Sequence, residues 1–286
     1  MISKEQFNTE LDLIISNAIR EDIGDGDHTS LSCIPADASG KAKLLVKDEG
    51  IIAGVEFAKM VFSYVDPALT VETLINDGEQ VKFGDIVFYV TGKSQSILQA
   101  ERLVLNAMQR MSAIATKTRF FVDLLEGTGT KVLDTRKTTP GIRALEKWAV
   151  KIGGGVNHRF ALYDMVMIKD NHIDFAGGIT QAINKTKAYL TEKELDIKII
   201  VEARNLQEIE EILKNEGVYR ILIDNFNYED TRKAVALIGN TCLTESSGGI
   251  NEKTIRKYAE CGVDFISSGA LTHSVYNMDL SLKAVD

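Results

Sequence analysis

From residue 130 onward the chain alternates short apolar runs with helical stretches, and no other feature constrains its fold as tightly. Apolar runs occur at "KVLDT", "MVMIKD", "IKIIVEA", "YRILIDN", "CLTESS" and "DFISSGA". The helical segments "GGITQAINKTKAYL", "NLQEIEEILKN", "YEDTRKAVALIG" and "NEKTIRKYAECG" separate most of them. The later runs recur about every 22 residues, the period of a strand–helix unit. Such alternation implies a parallel sheet, doubly wound or closed towards a barrel. Six candidate strands fall short of the eight of a closed barrel, so an open, incomplete α/β barrel is expected.

The residues before this region follow a different rhythm. Phe7, Leu11, Ile14, Ile15, Ala18 and Ile19 recur at helical spacing, which predicts an amphipathic helix over Lys4 to Arg20. "GKAKLLVKDEGIIAGV" and "LTVETLINDGEQVKFGDIVFYVTG" read as short strands broken by glycines. Helical spacing returns from Ser96 to about Leu125, read as two helices. A helix-plus-small-sheet domain over residues 1–112, joined by the segment 271–286, and a barrel over 113–270 are the expected units.

Composition excludes several classes. The 286 residues are 44% apolar and 26% charged, as in a globular protein with ample core. The formal charge of −8 argues against general nucleic-acid binding, and no apolar run reaches membrane-spanning length. Cys33, Cys242 and Cys261 show no C-x-x-C spacing and fit a reducing cytosol, so a cytoplasmic enzyme is expected. Against this acidic background the window from Arg136 to His172 carries seven Lys/Arg and three Asp/Glu, a local charge of +4. An acidic chain with one concentrated cationic segment suits a small anionic ligand.

In parallel α/β folds the chemistry sits where strands end at their carboxyl termini. Here the candidate strands end in Asp134-Thr135-Arg136-Lys137, Lys169-Asp170-Asn171-His172, Glu202, Asp224-Asn225, Glu245-Ser246-Ser247-Gly248-Gly249 and Ser267-Ser268-Gly269. Arg136 and Arg159 can each grip a carboxylate through two parallel hydrogen bonds, and Lys137 and Lys169 act as point charges. Glu202 and Asp224 offer hard oxygens for Mg²⁺ shared with a phosphorylated ligand. The Gly/Ser turns expose N–H groups and hydroxyls suited to a phosphate. One lysine at a strand end could instead form a Schiff base with a carbonyl substrate, which makes a lyase the rival class.

The stretch "LDTRKTTPGIRALEKWAVKIGGGVNHRFALYDMVMIKDNHI" resembles the signature of the quinolinate phosphoribosyltransferase family. "IREDIGDGDHTS", "AERLVLNAMQRMSAIAT", "VEARNLQEIEE", "ILIDNF", "ESSGGI" and "SSGALTHS" extend the likeness in the same order over nearly the whole chain. The resemblance implies an N-terminal α/β sandwich domain, an open barrel of about six strands, and a homodimer. It also implies a carboxylating nicotinate-nucleotide diphosphorylase, joining quinolinate to phosphoribosyl pyrophosphate with Mg²⁺ to give nicotinate mononucleotide, pyrophosphate and CO₂. By the same resemblance Arg136, His158, Arg159 and Lys169 meet the quinolinate carboxylates, with Thr135 beside them. Lys137 touches both substrates, and Arg102 reaches quinolinate from the partner subunit. Glu202 and Asp224 lie near the ribose and metal. Ser246, Ser247, Gly248, Gly249, Ser268 and Gly269 cradle the 5′-phosphate, with His273 in the matching "THS" segment. Lys137, Lys169, Glu202 and Asp224 are the implied catalytic groups. Arg204 departs from the pattern, since an acidic residue is expected after "VEV", and a cation there could disturb phosphate or metal contacts. A relative redirected to another small acid is the remaining alternative.

Overall fold

A computed structural model describes residues 2–285, which form two compact units. One holds residues 3–119, 138–154 and 271–285; the other holds 120–137 and 155–270, with residue 2. In chain order the elements are α1 (Lys4–Ile23), α2 (His28–Cys33), β1 (Ser39–Val46), β2 (Gly50–Ile51), α3 (Val55–Val65), β3 (Thr70–Thr73), β4 (Gln80–Val81), β5 (Ile86–Lys93) and α4 (Ser94–Leu124). There follow β6 (Lys131–Leu133), α5 (Arg143–Ile152), β7 (Val166–Ile168), α6 (Asp170–Ala176), α7 (Ile179–Glu192), β8 (Ile199–Ala203) and α8 (Leu206–Leu213). The last are β9 (Arg220–Asp224), α9 (Tyr228–Ile238), β10 (Leu243–Ser247), α10 (Ile255–Ala259), β11 (Phe265–Ser267), α11 (Ala270–His273) and β12 (Leu280–Val285).

The first unit is built on an antiparallel sheet of order β12-β1-β5-β3. Period-two alternation buries Ala42, Leu44 and Val46 of β1 on one face. Leu282 of β12 stands opposite Leu44, so the end of the chain completes the sheet that its beginning starts. α1 opens with a reciprocal cap in which Ser3 Oγ accepts from Gln6 N–H at 3.1 Å and Gln6 Oε1 accepts from Ser3 N–H at 2.9 Å. Its Phe7 packs edge-on against Trp148 of α5, with ring centroids 5.6 Å apart. The expected pair of helices after Ser96 is instead one 31-residue helix, α4. The span from Ser94 to Leu124 contains neither Gly nor Pro, so nothing in it interrupts the i→i−4 ladder.

The second unit is a six-stranded parallel sheet of order β6-β11-β10-β9-β8-β7. β6 and β7, adjacent in the sequence, occupy opposite edges and do not pair, which leaves the barrel open as expected. The strand centres are almost solidly apolar: Ile199, Ile200 and Val201 in β8, and Ile221, Leu222 and Ile223 in β9 are all buried. That is the signature of strands covered on both faces. α8 and α9 begin with Asn205 and Asn227, whose side chains accept from the N–H groups of Glu208 and Asp230 at 2.9 Å each. Short, capped returns of this kind deliver every strand in the same direction and gather the strand ends at one mouth.

Candidate active site at the carboxyl ends of the parallel strands

Strand register sorts the polar side chains by face. Glu202 stands beside Leu222, Leu222 beside Glu245, and Glu245 beside Phe265; two residues further on, Asp224 stands beside Ser247. With a period of two these share one face of the sheet. Ser246 falls between them and faces the other way; it is 1% exposed, and its Oγ has no hydrogen-bond partner. Its side chain therefore does not join Ser247 in any phosphate cradle.

The acidic part of the mouth is Glu202 and Asp224. Burial and the nearby Asp224 charge push the Glu202 carboxyl above the usual range, while Lys169 pulls it back. Lys169 Nζ lies 3.8 Å from Glu202 Oε2. Asp224 Oδ2 accepts from Asn225 Nδ2 at 2.6 Å. Two neighbouring carboxylates repel one another as anions, and a divalent ion would relieve that repulsion. Among the described residues no third acid, His or Cys completes a ligand cluster. The donor set therefore fits Mg²⁺ that keeps most of its oxygens from water and a polyphosphate. It does not resemble a closed protein cage. Lys169, half-exposed beside a carboxylate, lacks the apolar surroundings that activate a Schiff-base lysine.

The cationic part lies on the loops after β6 and before β7. Arg136 and Lys137 are exposed, and Lys137 N–H is held by Thr135 Oγ1 at 3.0 Å. Arg159 is 8% exposed, and its Nη1 donates to Met165 O at 3.0 Å. Burial and the neighbouring Arg136 lower the Arg159 pKa, against a smaller opposing effect of Asp164. Asp164 also clasps the turn by accepting from Phe160 N–H and Ala161 N–H at 2.8 Å each. Neither Arg136 nor Arg159 forms an ion pair with a carboxylate among the described residues. Two neighbouring guanidinium groups are chemically suited to a carboxylate ligand.

His158 sits differently from its neighbours. It is 6% exposed, its main-chain N–H is held by Asp134 Oδ1 at 2.8 Å, and its ring is turned inward. Asp134 itself is fully buried and also accepts from Asn157 Nδ2 at 2.6 Å. The sequence reading passes over Arg220 and the depth of Glu245. Both are buried, with Arg220 Nη1 2.6 Å from Glu245 Oε2. The signal available was the charge itself, an Arg opening the apolar strand β9 and a Glu in the middle of β10.

The turns after β10 and β11 are closely packed. Gly248 has φ +102°, and a Cβ there would lie 2.2 Å from Asn225 Oδ1 and 2.9 Å from Asn225 N. Asn225, itself at φ +57°, donates its N–H to Ser247 O at 2.9 Å. Gly249, at φ +59°, has open space around it. Ser268 N–H continues the pairing with β6 through Leu133 O at 3.0 Å, and Ser268 Oγ donates to Ile250 O at 3.3 Å. Arg204 points its charge into a local cluster, with Nη2 2.7 Å from Glu208 Oε1 and Nη1 3.4 Å from Asp174 Oδ1. The Arg204 charge is thus engaged by Glu208 and Asp174. In the other unit, Arg102 is exposed on α4, and His273 is exposed with Nδ1 2.7 Å from Ser274 Oγ.

The model of the quinolinate phosphoribosyl transferase C-terminal domain matches residues 114–283, and that of the N-terminal domain matches residues 27–112. The chain belongs to the quinolinate phosphoribosyl transferase family. Among curated proteins it is 45% identical to a decarboxylating quinolinate phosphoribosyltransferase of Nicotiana tabacum, over 94% of this chain and 81% of that one. It is 44% identical to a chloroplastic carboxylating nicotinate-nucleotide pyrophosphorylase of Oryza sativa, over 96% of this chain and 77% of that one. Among solved structures, NadC from Streptococcus pyogenes superposes with a TM-score of 0.89 at 35% identity, covering all of this chain and 99% of that one. No helix among the described residues is long and apolar enough to cross a membrane.

Proposed function

We propose that the protein transfers the phosphoribosyl group of phosphoribosyl pyrophosphate to quinolinate with decarboxylation, yielding nicotinate mononucleotide, pyrophosphate and CO₂ for NAD biosynthesis. The observation that carries this reading is the segregation of like charges at one mouth: Arg159 beside Arg136, and Glu202 beside Asp224. A pyridine dicarboxylate satisfies the cations; a ribosyl carbon becoming positive is stabilised by the carboxylates.

The chemistry divides accordingly. Arg136 and Arg159 hold the acceptor's carboxylates so that its ring nitrogen faces the ribosyl carbon, which is positional catalysis. The nitrogen lone pair forms the new N–C bond as the C–O bond to pyrophosphate breaks and its electron pair leaves with pyrophosphate. Glu202 and Asp224 face the oxocarbenium-like charge between these events. Mg²⁺ entering with the donor would be held by the same two carboxylates and would neutralise the departing pyrophosphate. When the adjacent carboxylate leaves as CO₂, the electron pair of the broken C–C bond stays on the ring carbon, stabilised by the positive charge of the neighbouring quaternary nitrogen, and a proton then returns to that carbon. Lys137 and Lys169 are the ammonium groups at the mouth that stabilise this carbanion. The turns at Ser247–Gly249 and Ser268–Gly269 receive the 5′-phosphate, through backbone groups and the Ser247 hydroxyl. A homodimer supplies Arg102 to the neighbouring acceptor site. The three unbridged thiols suit a reducing compartment, and we place the enzyme in the cytosol.

Purified protein incubated with quinolinate, phosphoribosyl pyrophosphate and Mg²⁺ should release nicotinate mononucleotide and CO₂ together. Turnover with nicotinate in place of quinolinate would keep the donor site and overturn the acceptor. Absence of product with either, from folded protein, would favour a relative redirected to another acid.

A further inference from the structure

We propose that Asp134, buried at the end of β6, is a positioning residue that sets the spacing of the two arginine-bearing loops, 135–137 and 158–159. The inference deepens the reading above, because it rests on Arg136 and Arg159 gripping the acceptor.

One residue reaches both loops. The main chain of Asp134 leads directly into Thr135, Arg136 and Lys137, while its fully buried carboxylate turns to the segment before β7. Oδ1 accepts the main-chain N–H of His158 at 2.8 Å, and Oδ2 accepts from Asn157 Nδ2 at 2.6 Å. The backbones are paired alongside. Val156 forms a parallel bridge with Leu133, in which Val156 N–H donates to Val132 O at 2.9 Å and Asp134 N–H to Val156 O at 3.2 Å. On the other side of the strand Leu133 O accepts from Ser268 N–H at 3.0 Å, so the end of β6 is held from two directions. Arg136 lies two residues beyond this anchor, and Arg159 directly follows the residue whose N–H the carboxylate holds.

The two guanidinium groups need such an anchor. Arg136 is close enough to Arg159 to disfavour its charge, and loops free to relax would carry the two cations apart. An acceptor with carboxylates on adjacent ring carbons requires them at a fixed separation. Holding the loops before the ligand arrives is pre-organisation, which spares the ligand the cost of drawing them together. A carboxylate suits the task better than an apolar side chain or an amide. Both of its oxygens accept, so a single side chain bonds two donors of the facing segment at once. Stability alone is a weak reason for a carboxylate here, since taking one out of water is costly.

Two measurements on the full chain test this. In hydrogen exchange, the His158 amide should be protected in the wild type and exchange at least about tenfold faster in D134A. An unprotected His158 amide in the wild type would overturn the proposal. Kinetically, D134A removes both acceptors, whereas D134N keeps one for the His158 N–H. D134A should raise the quinolinate KM by about 30-fold and change the donor KM by less than about threefold, and D134N should return the quinolinate KM to within about threefold of wild type. Equal effects of D134A on both substrates would reduce Asp134 to a structural role. A D134N variant as poor as D134A would show that the charge matters and the bonds do not, and the proposal would fall. If D134A does not fold, N157A carries the test with the His158 bond intact. It should raise the quinolinate KM by about fivefold at an unchanged donor KM, and no rise would overturn the proposal. A protected His158 amide in a wild-type protein that does not turn over quinolinate would support the anchor and fault the acceptor assignment instead.

Discussion

At the scale of single residues, the mouth is governed by how much each charge is removed from water. Arg159 is buried beside another cation, so its removal should weaken the acceptor far more than the donor. Arg159→Ala is expected to raise the quinolinate KM by about 30-fold or more, with the donor KM changed by less than about threefold, because truncating a desolvated charge costs about 2 kcal/mol or more. Comparable effects on both substrates in steady-state kinetics would remove Arg159 from the acceptor clamp. Glu202 presents the opposite case, a charge the fold tolerates at a cost. The folded state holds its proton more tightly than the unfolded chain does. Stability is therefore lost as pH rises from the ordinary glutamate value through the raised folded one, and the full penalty applies at neutral pH. Glu202→Gln should raise the melting temperature at pH 7 by a few degrees, with little change at pH 4, while lowering kcat by about 100-fold or more. A Gln variant less stable than wild type at pH 7 would mean that Lys169 compensates the burial already.

At the scale of elements, what the sequence made legible was whatever local pattern decides. The six strands and four of the helices between them declare themselves by apolar runs and spacing; Arg136 and Lys169 stood out as candidates because they follow strands, and Glu202 and Asp224 because they lie at strand ends. α3 was not legible, and the reason is physical. Its sequence, "VEFAKMVFSYV", is rich in β-branched and aromatic residues, and its Gly54 cap supplies no side chain. The helix starts because Asp77, 22 residues away, accepts from Val55 N–H at 2.9 Å and from Glu56 N–H at 3.3 Å. α5 was masked in another way: it buries Glu146 and Lys147, so charge falls on its inner face. Glu146 is answered by Arg110 of α4, whose Nη2 lies 2.8 Å from it, and by Thr139 N–H at 3.1 Å. His158 shows the same limit at the site, since Glu245, whose Oε2 stands 3.3 Å from its Nε2, lies 87 residues further on. Long-range partners also set the value of β12. Leu280 and Leu282 are 2% and 8% exposed against β1, so Leu282→Ala should cost about 2–3 kcal/mol in urea unfolding, the lower part of the range for buried leucines because the strand is at an edge. A cost below about 0.5 kcal/mol would mean that this edge closes over by itself.

At the scale of the whole molecule, the acceptor clamp proposed above takes two guanidinium groups from one chain and a third, that of Arg102, from another copy. Arg102 is exposed on α4, as a residue committed to a neighbour would be in a single subunit. If the active site is shared in this way, two inactive variants can repair one another. In a symmetric dimer each site combines Arg159 of one subunit with Arg102 of the other. Arg102→Ala homodimers lack one half of the clamp at both sites, and Arg159→Ala homodimers lack the other half. Random re-assortment of the two variants makes half of the dimers mixed. Each mixed dimer carries both lesions in one site and neither in the other, so about a quarter of wild-type activity should return. The measurement is activity after co-refolding or prolonged mixing, with sedimentation confirming that dimers persist throughout. Activity that stays at the sum of the separate variants, while subunit exchange is demonstrated by mass labelling, would place Arg102 outside the neighbouring site. The acceptor clamp would then be complete within one chain, and the −8 chain with its +4 window would bind its dianion without help from a partner.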